Sequence, residues 1–191
     1  IQTFLGHRFW PLDPRPDEIY LEDIAHALSL QCRFAGHVRA FYSVGQHSIY
    51  VSQVVPAVDA LWGLLHDAAE FALVDIPRPL KRLPEFGAAY RAAERRLQLC
   101  IAEVFGLALP ERLEVLAVDS ALPLEPASVR EADLRMVSTE KRDLMRTGGL
   151  THVWDTDGYP PYDWTITPWS ARTTEVRFLE RFAELTARRT G

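Results

Sequence analysis

Residues 60–73 read ALWGLLHDAAEFAL, a stretch apolar almost all round that carries His66 and Asp67 side by side and Glu70 one turn later. A helix of this kind belongs in a core rather than on a surface. Asp59 stands at its expected N-cap, and the helix is expected over 60–73. Beyond it, Asp75, Pro77 and Pro79 mark a turn. Upstream, Ser43 is the expected cap of a helix over 44–55, with Gln46 at the third helical position as in a capping box and Pro56 ending it. Ile24, Ala27, Leu28 and Gln31 fall at helical spacing behind Glu22 and Asp23, which predicts a helix over 22–30. Pro11, Pro14 and Pro16 make the first segment an extended arm.

Downstream, the pattern predicts a long helix over 86–105 closed by Gly106, a short one over 110–118, and another over 127–145 stopped by Gly148 and Gly149. A last amphipathic helix is expected over 172–188. The stretch 151–169, rich in Pro, Tyr, Trp and Asp, reads as an ordered loop. Alternation of β-branched residues is nearly absent. The expected fold class is all-α.

The 191 residues fit one domain, 1–191, with a core of about 22–145 and a C-terminal loop and helix at 151–188. The net charge of -5 disfavours broad binding to nucleic acid, which needs a basic face. The 2 cysteines, Cys32 and Cys100, are far apart and read as buried apolar residues, not as a disulfide framework or zinc ribbon. No apolar run approaches the ~18–20 residues of a membrane span, and the N-terminal stretch lacks secretory-signal character, so the expected compartment is the cytoplasm.

A neutral imidazole and a carboxylate in an apolar helix are costly unless satisfied. A divalent metal or a hydrogen-bond network between helices would do this. His47, on the preceding helix, can meet His66 if the two helices run antiparallel. Glu70 shares a face with His66 and Asp67, and could aim a carboxylate at metal-bound water. A fourth ligand would come from Asp119 or Asp133.

The pattern His, His-Asp, Asp on an all-α scaffold resembles the HD-domain metal-dependent phosphohydrolases. Residues 66–81, HDAAEFALVDIPRPLK, are similar to the HD motif and following turn of the small 5′-deoxynucleotidases. Residues 44–48, VGQHS, residues 130–133, READ, and the pair Arg33-Phe34 resemble further motifs of that group. The arm at 11–16, PLDPRP, and residues 32–37, CRFAGH, are similar to phage and bacterial members that act on dATP. The resemblance spans roughly 22–142.

It implies a helical bundle in which His47, His66, Asp67 and Asp133 ligate one divalent ion, with Asp119 left as a capping or surface residue. Such a ligand set suits Mn²⁺, Co²⁺, Fe²⁺, Zn²⁺ or Mg²⁺. It makes Glu70 and Asp75 the catalytic carboxylates. Arg33, Phe34, His37 and Lys81 become substrate contacts, with Arg33 on phosphate and Phe34 against the base. The implied activity is phosphate removal from a deoxynucleotide, dATP first, with 5′-deoxynucleotidase action on monophosphates as the alternative. A non-catalytic nucleotide-binding module with a structural metal is the alternative of another class. Members of the resembled family are often dimers or hexamers, so self-association is a further expectation. His26 reads as structural, His7 and His152 as surface residues, and Trp154, Trp164 and Trp169 as aromatics that pack the late loop onto the bundle.

Overall fold

The computed structural model describes residues 1–111, 120, 122–146, 154 and 156–187. In chain order its helices are α1 (Leu21–Leu30), α2 (Val44–Val54), α3 (Ala60–Leu65), α4 (Glu70–Leu73), α5 (Arg78–Lys81), α6 (Pro84–Val104), α7 (Ala127–Leu144) and α8 (Ala171–Ala187). Tight 3-10 turns occupy Pro16–Glu18, Arg33–Gly36 and Ala57–Asp59. No strand occurs among the described residues, and the fold is all-α. Two isolated bridges, Gln2 with Arg8 and Cys32 with Ser43, stitch loop backbone together. Residues 112–118 of the short helix expected over 110–118, Asp119, the Gly148-Gly149 stop and His152 lie outside the described residues. No helix among the described residues is long and apolar enough to cross a membrane.

The apolar stripes meet in one core: Ile24 and Leu28 of α1, Ile49 of α2, Leu64 and Leu65 of α3, Leu97 and Ile101 of α6, Met136 of α7 and Phe178 of α8. The N-terminal arm is anchored there by Phe9, fully buried with its ring 5.0 Å from Phe71. Helices α2 and α3 approach closely at Gly63, where a Cβ would sit 2.9 Å from the Ser52 Cα. That approach brings His47 and His66 together. Gly106 ends α6 at φ +61, and the Leu107 N–H returns to the Ala102 carbonyl at 2.9 Å.

Four local expectations differ from the structure. Residues 60–73 form not one helix but two, α3 and α4, with a tightened turn between. The cause is Gln98 of α6: its Nε2 donates to the Leu65 carbonyl at 2.8 Å and its Oε1 accepts the Ala69 N–H at 3.2 Å. Those two backbone groups would bond each other in an unbroken α-helix, so a side chain stands in the ladder. Asp59 does not cap α3; its carboxylate accepts the Ser128 hydroxyl at 2.5 Å instead. At α2 the Ser43 half of the capping box forms, the Gln46 N–H donating to Ser43 Oγ at 3.1 Å. The Gln46 side chain turns instead to the late loop, donating to the Thr167 carbonyl and accepting the Trp169 N–H. Cys100 is buried as expected, but Cys32 is only half-buried.

Candidate metal centre

Helix α2 delivers His47 to the centre of the molecule with no exposed surface. Its Nδ1 lies 2.7 Å from Glu140 Oε1, also fully buried, so Nδ1 carries a proton and Nε2 is the atom turned to the centre. His66 stands at the end of α3, and its Nδ1 faces the Gly63 carbonyl at 2.8 Å. A carbonyl only accepts, so here too Nδ1 is the donor and Nε2 the free base. The two Nε2 atoms face each other at 3.2 Å. At that separation the two atoms need either a proton on one of them or a cation between them.

The carboxylates complete the set. Asp67 Oδ2 is 3.4 Å from His66 Nε2 and 3.7 Å from His47 Nε2, and Asp133 Oδ1 is 3.2 Å from His47 Nε2. Donors bound ~2.1 Å from one ion lie ~3.0–3.4 Å from each other, and most of these distances fall there. His47, His66 and Asp67 therefore form a group that could hold a metal ion, with Asp133 beside it. The imidazoles make a buried floor, while Asp67 and Asp133 are a quarter exposed at the mouth.

Electrostatics follow from this crowding. Burial opposes ionisation of Asp133 and Asp67, but the hydrogen bond from His47 and the nearby imidazoles and Arg33 overcome it and hold both well ionised. Burial and Arg33 also work against a charged His47, yet Glu140 and Asp133 outweigh them and raise it to about 9. Glu70, 5% exposed, is pushed well above the usual carboxylate range by burial and by Asp67 and Asp75. Its Oε2 is buried with no hydrogen-bond partner.

Arg33 is buried, and despite the cost of burial its charge is held firmly by Glu140 and Asp67. Its Nε meets Glu140 Oε2 at 3.2 Å and its Nη1 meets Asp67 Oδ2 at 3.4 Å, and Nη2 has no hydrogen-bond partner among the described residues. The Phe34 ring lies under the Arg33 guanidinium and 5.9 Å from Trp154. Lys81 is engaged, 2.8 Å from Glu94 and 3.5 Å from Glu70. Asp75 is half-buried after the turn that follows α4. His37 is exposed at the end of the Arg33–Gly36 turn. His26 is bonded to Glu175 and stacked on Phe4. Trp164 and Trp169 pack on Tyr50.

Sequence reasoning missed Glu140. It lies seven residues after Asp133 on α7, two helical turns on, so both project from one face. Met136 and Val137 between them mark that face as inward.

No family model matches the chain. Over 188 residues it is 37% identical to YfdR, an uncharacterized protein of Escherichia coli (strain K12), a match covering 97% of this chain and 94% of YfdR. The chain belongs to the YfdR family. Within it, the near end-to-end match takes in the arm, the centre and the C-terminal helix together. A second relative, the uncharacterized protein RCAP_rcc00048 of Rhodobacter capsulatus, is 36% identical over 111 residues, or 53% of this chain and 56% of that protein.

Proposed function

We propose that this YfdR-family chain is a metal-dependent phosphohydrolase that removes phosphate from deoxynucleotides, with dATP as the first substrate. The observation that carries this reading is the convergence of two imidazole Nε2 atoms at 3.2 Å, flanked by Asp67 and Asp133. His47, His66, Asp67 and Asp133 would hold one divalent ion, and the donor set suits Mn²⁺, Co²⁺, Fe²⁺, Zn²⁺ or Mg²⁺. When bound, such an ion supplies positive charge to phosphoryl oxygens and acidifies water.

The chain's own groups do the rest. Glu70, whose Oε2 is buried without a hydrogen-bond partner and whose proton affinity burial raises, takes the proton of the attacking water. Arg33 Nη2 binds a phosphoryl oxygen while Glu140 and Asp67 fix the guanidinium. Asp75 serves the sugar or the leaving oxygen, and Phe34 offers a ring face to the base. The choice of dATP rests on the resemblance of the arm at 11–16 and of residues 32–37.

A second reading, action on monophosphates, is favoured by the cations beside the centre. Lys81 is balanced by Glu94 and Glu70, and Arg78 lies 3.8 Å from Asp133, so both cations already have carboxylate partners to give up before binding a β- or γ-phosphate. Incubating protein loaded with Mn²⁺ or Co²⁺ with each dNTP, dNDP and dNMP separates the readings. Tripolyphosphate means cleavage at the α-phosphate; orthophosphate with dADP and dAMP means stepwise cleavage. Phosphate from monophosphates alone means a 5′-deoxynucleotidase. Binding of dATP without release of any product contradicts the proposal and makes the chain a binding module.

A further inference from the structure

Positive φ outside glycine occurs, among the described residues, at Phe34, Ala35 and Val74. The first two adjoin Arg33 and the third adjoins Asp75, so the strained backbone borders the candidate centre on two sides. Val74 is the costliest of the three. At φ 58 and ψ 156 it occupies a region essentially reserved for glycine, and it is β-branched. Its side chain is 55% exposed, so its own packing does little to offset the strain. Strain of this kind persists only where surrounding contacts over-determine the conformation.

Two side chains, Tyr90 and Gln31, supply those contacts. The Val74 N–H donates to the Glu70 carbonyl at 2.9 Å, and the Tyr90 hydroxyl donates to the Val74 carbonyl at 2.6 Å. Gln31 then grips the turn on both sides of Val74: its Nε2 donates to the Glu70 carbonyl at 2.9 Å, and its Oε1 accepts the Asp75 N–H at 3.2 Å. Gln31 is itself well anchored. Its N–H closes α1 on the Ala27 carbonyl, and its carbonyl accepts the N–H of Val44, the first residue of the helix that carries His47. Arg33 follows two residues later. Helix α4, only four residues long, has little hold of its own on the turn.

We propose that Gln31 is a positioning residue that keeps Val74 in its strained conformation and so holds Asp75 in register with Glu70 and Arg33. The inference rests on the functional reading above, in which Glu70 and Asp75 face the substrate. Released from Gln31, the turn relaxes and carries Asp75 away from Glu70.

A double-mutant cycle on the full chain tests this. Val74→Gly should raise Tm, at ~2–4 °C for each kcal/mol of strain relieved in a chain of this size, and Val74→Ala should not. Gln31→Met keeps the length of the side chain and removes both hydrogen bonds. In that background the Val74→Gly gain should vanish, because the turn has already relaxed. With metal loaded, Gln31→Met should lower kcat at least ~10-fold on the best nucleotide of the panel, while Mn²⁺ affinity changes less than ~2-fold, a split that loss of the fold or of the ion would not give. A Val74→Gly gain that persists undiminished beside Gln31→Met overturns the proposal, as does a wild-type kcat in Gln31→Met. If the wild-type chain turns over no nucleotide, the functional reading fails, and the Tm cycle alone then decides for or against the clamp.

Discussion

His47 has carboxylates at both ends of its ring: Glu140 on Nδ1 at 2.7 Å and Asp133 beside Nε2 at 3.2 Å. Glu140 also accepts from Arg33 Nε, so it needs two acceptor oxygens at once. A carboxamide offers one acceptor and one donor, and the donor would face another donor. Glu140→Gln is therefore expected to weaken Mn²⁺ binding ~10–100-fold, the usual cost of losing a carboxylate behind a ligating histidine. It should also destabilise the fold by ~1–3 kcal/mol, as a buried donor loses its partner. Mn²⁺ titration and denaturant unfolding read the two effects, and unchanged Mn²⁺ affinity would show that Glu140 does not orient His47. The four residues that the structure brings together, His47, His66, Asp67 and Asp133, were legible from spacing and resemblance. Glu140 was not, because a carboxylate in a charged stretch of helix looks solvated until its face is known. Gln31 was legible only as a helical residue, since its partners at Glu70 and Asp75 lie about forty positions away.

At the scale of elements, the periodicity found the helices to within a residue or two at most ends. It failed where a distant side chain intervenes. Nothing within 60–73 announces a break, because Gln98 enters that ladder from α6. The break falls on the turn that carries His66 and Asp67, whose Nε2 and Oδ2 lie 3.4 Å apart at the centre. Gln98→Leu fills the space without hydrogen bonding and lets Leu65 and Ala69 pair with each other. It is expected to keep the helical content and to lower metal affinity ~10-fold or more as Asp67 rotates away. Far-ultraviolet circular dichroism and a metal titration on the same sample test this; wild-type affinity would mean the ligands do not depend on the break. Gln46 teaches the same lesson at α2, where the predicted cap partner instead tethers the loop at Thr167 and Trp169.

At the scale of the whole molecule, a net charge of -5 coexists with a centre that, on the proposed function, must attract an anionic substrate. Arg33 alone is surrounded by Glu140, Asp67, Asp75 and Asp133, so the site without an ion favours protons and cations. This gives a pH signature. With His47 raised from 6.5 to about 9, the folded metal-free protein holds a proton that the unfolded chain releases. That stabilisation is complete below pH 6.5 and is lost as pH rises through about 9; the raised Glu70 acts in the same direction. The Tm of metal-free protein should therefore fall between pH 6.5 and 9. Protein with an ion in place of the proton should not show this fall, and a metal-free Tm that rises across the window would contradict the electrostatic account. The central claim, metal-dependent hydrolysis of deoxynucleotides, meets its most direct test in phosphorus NMR of dATP and dAMP mixed with chelator-stripped protein, before and after an equivalent of Mn²⁺ or Co²⁺. The account predicts intact nucleotide until the ion is added, then turnover that a His66→Ala, Asp67→Ala double variant lacks. Nucleotide left intact with each of Mn²⁺, Co²⁺, Fe²⁺, Zn²⁺ and Mg²⁺, or hydrolysed equally fast by the stripped protein, would contradict it.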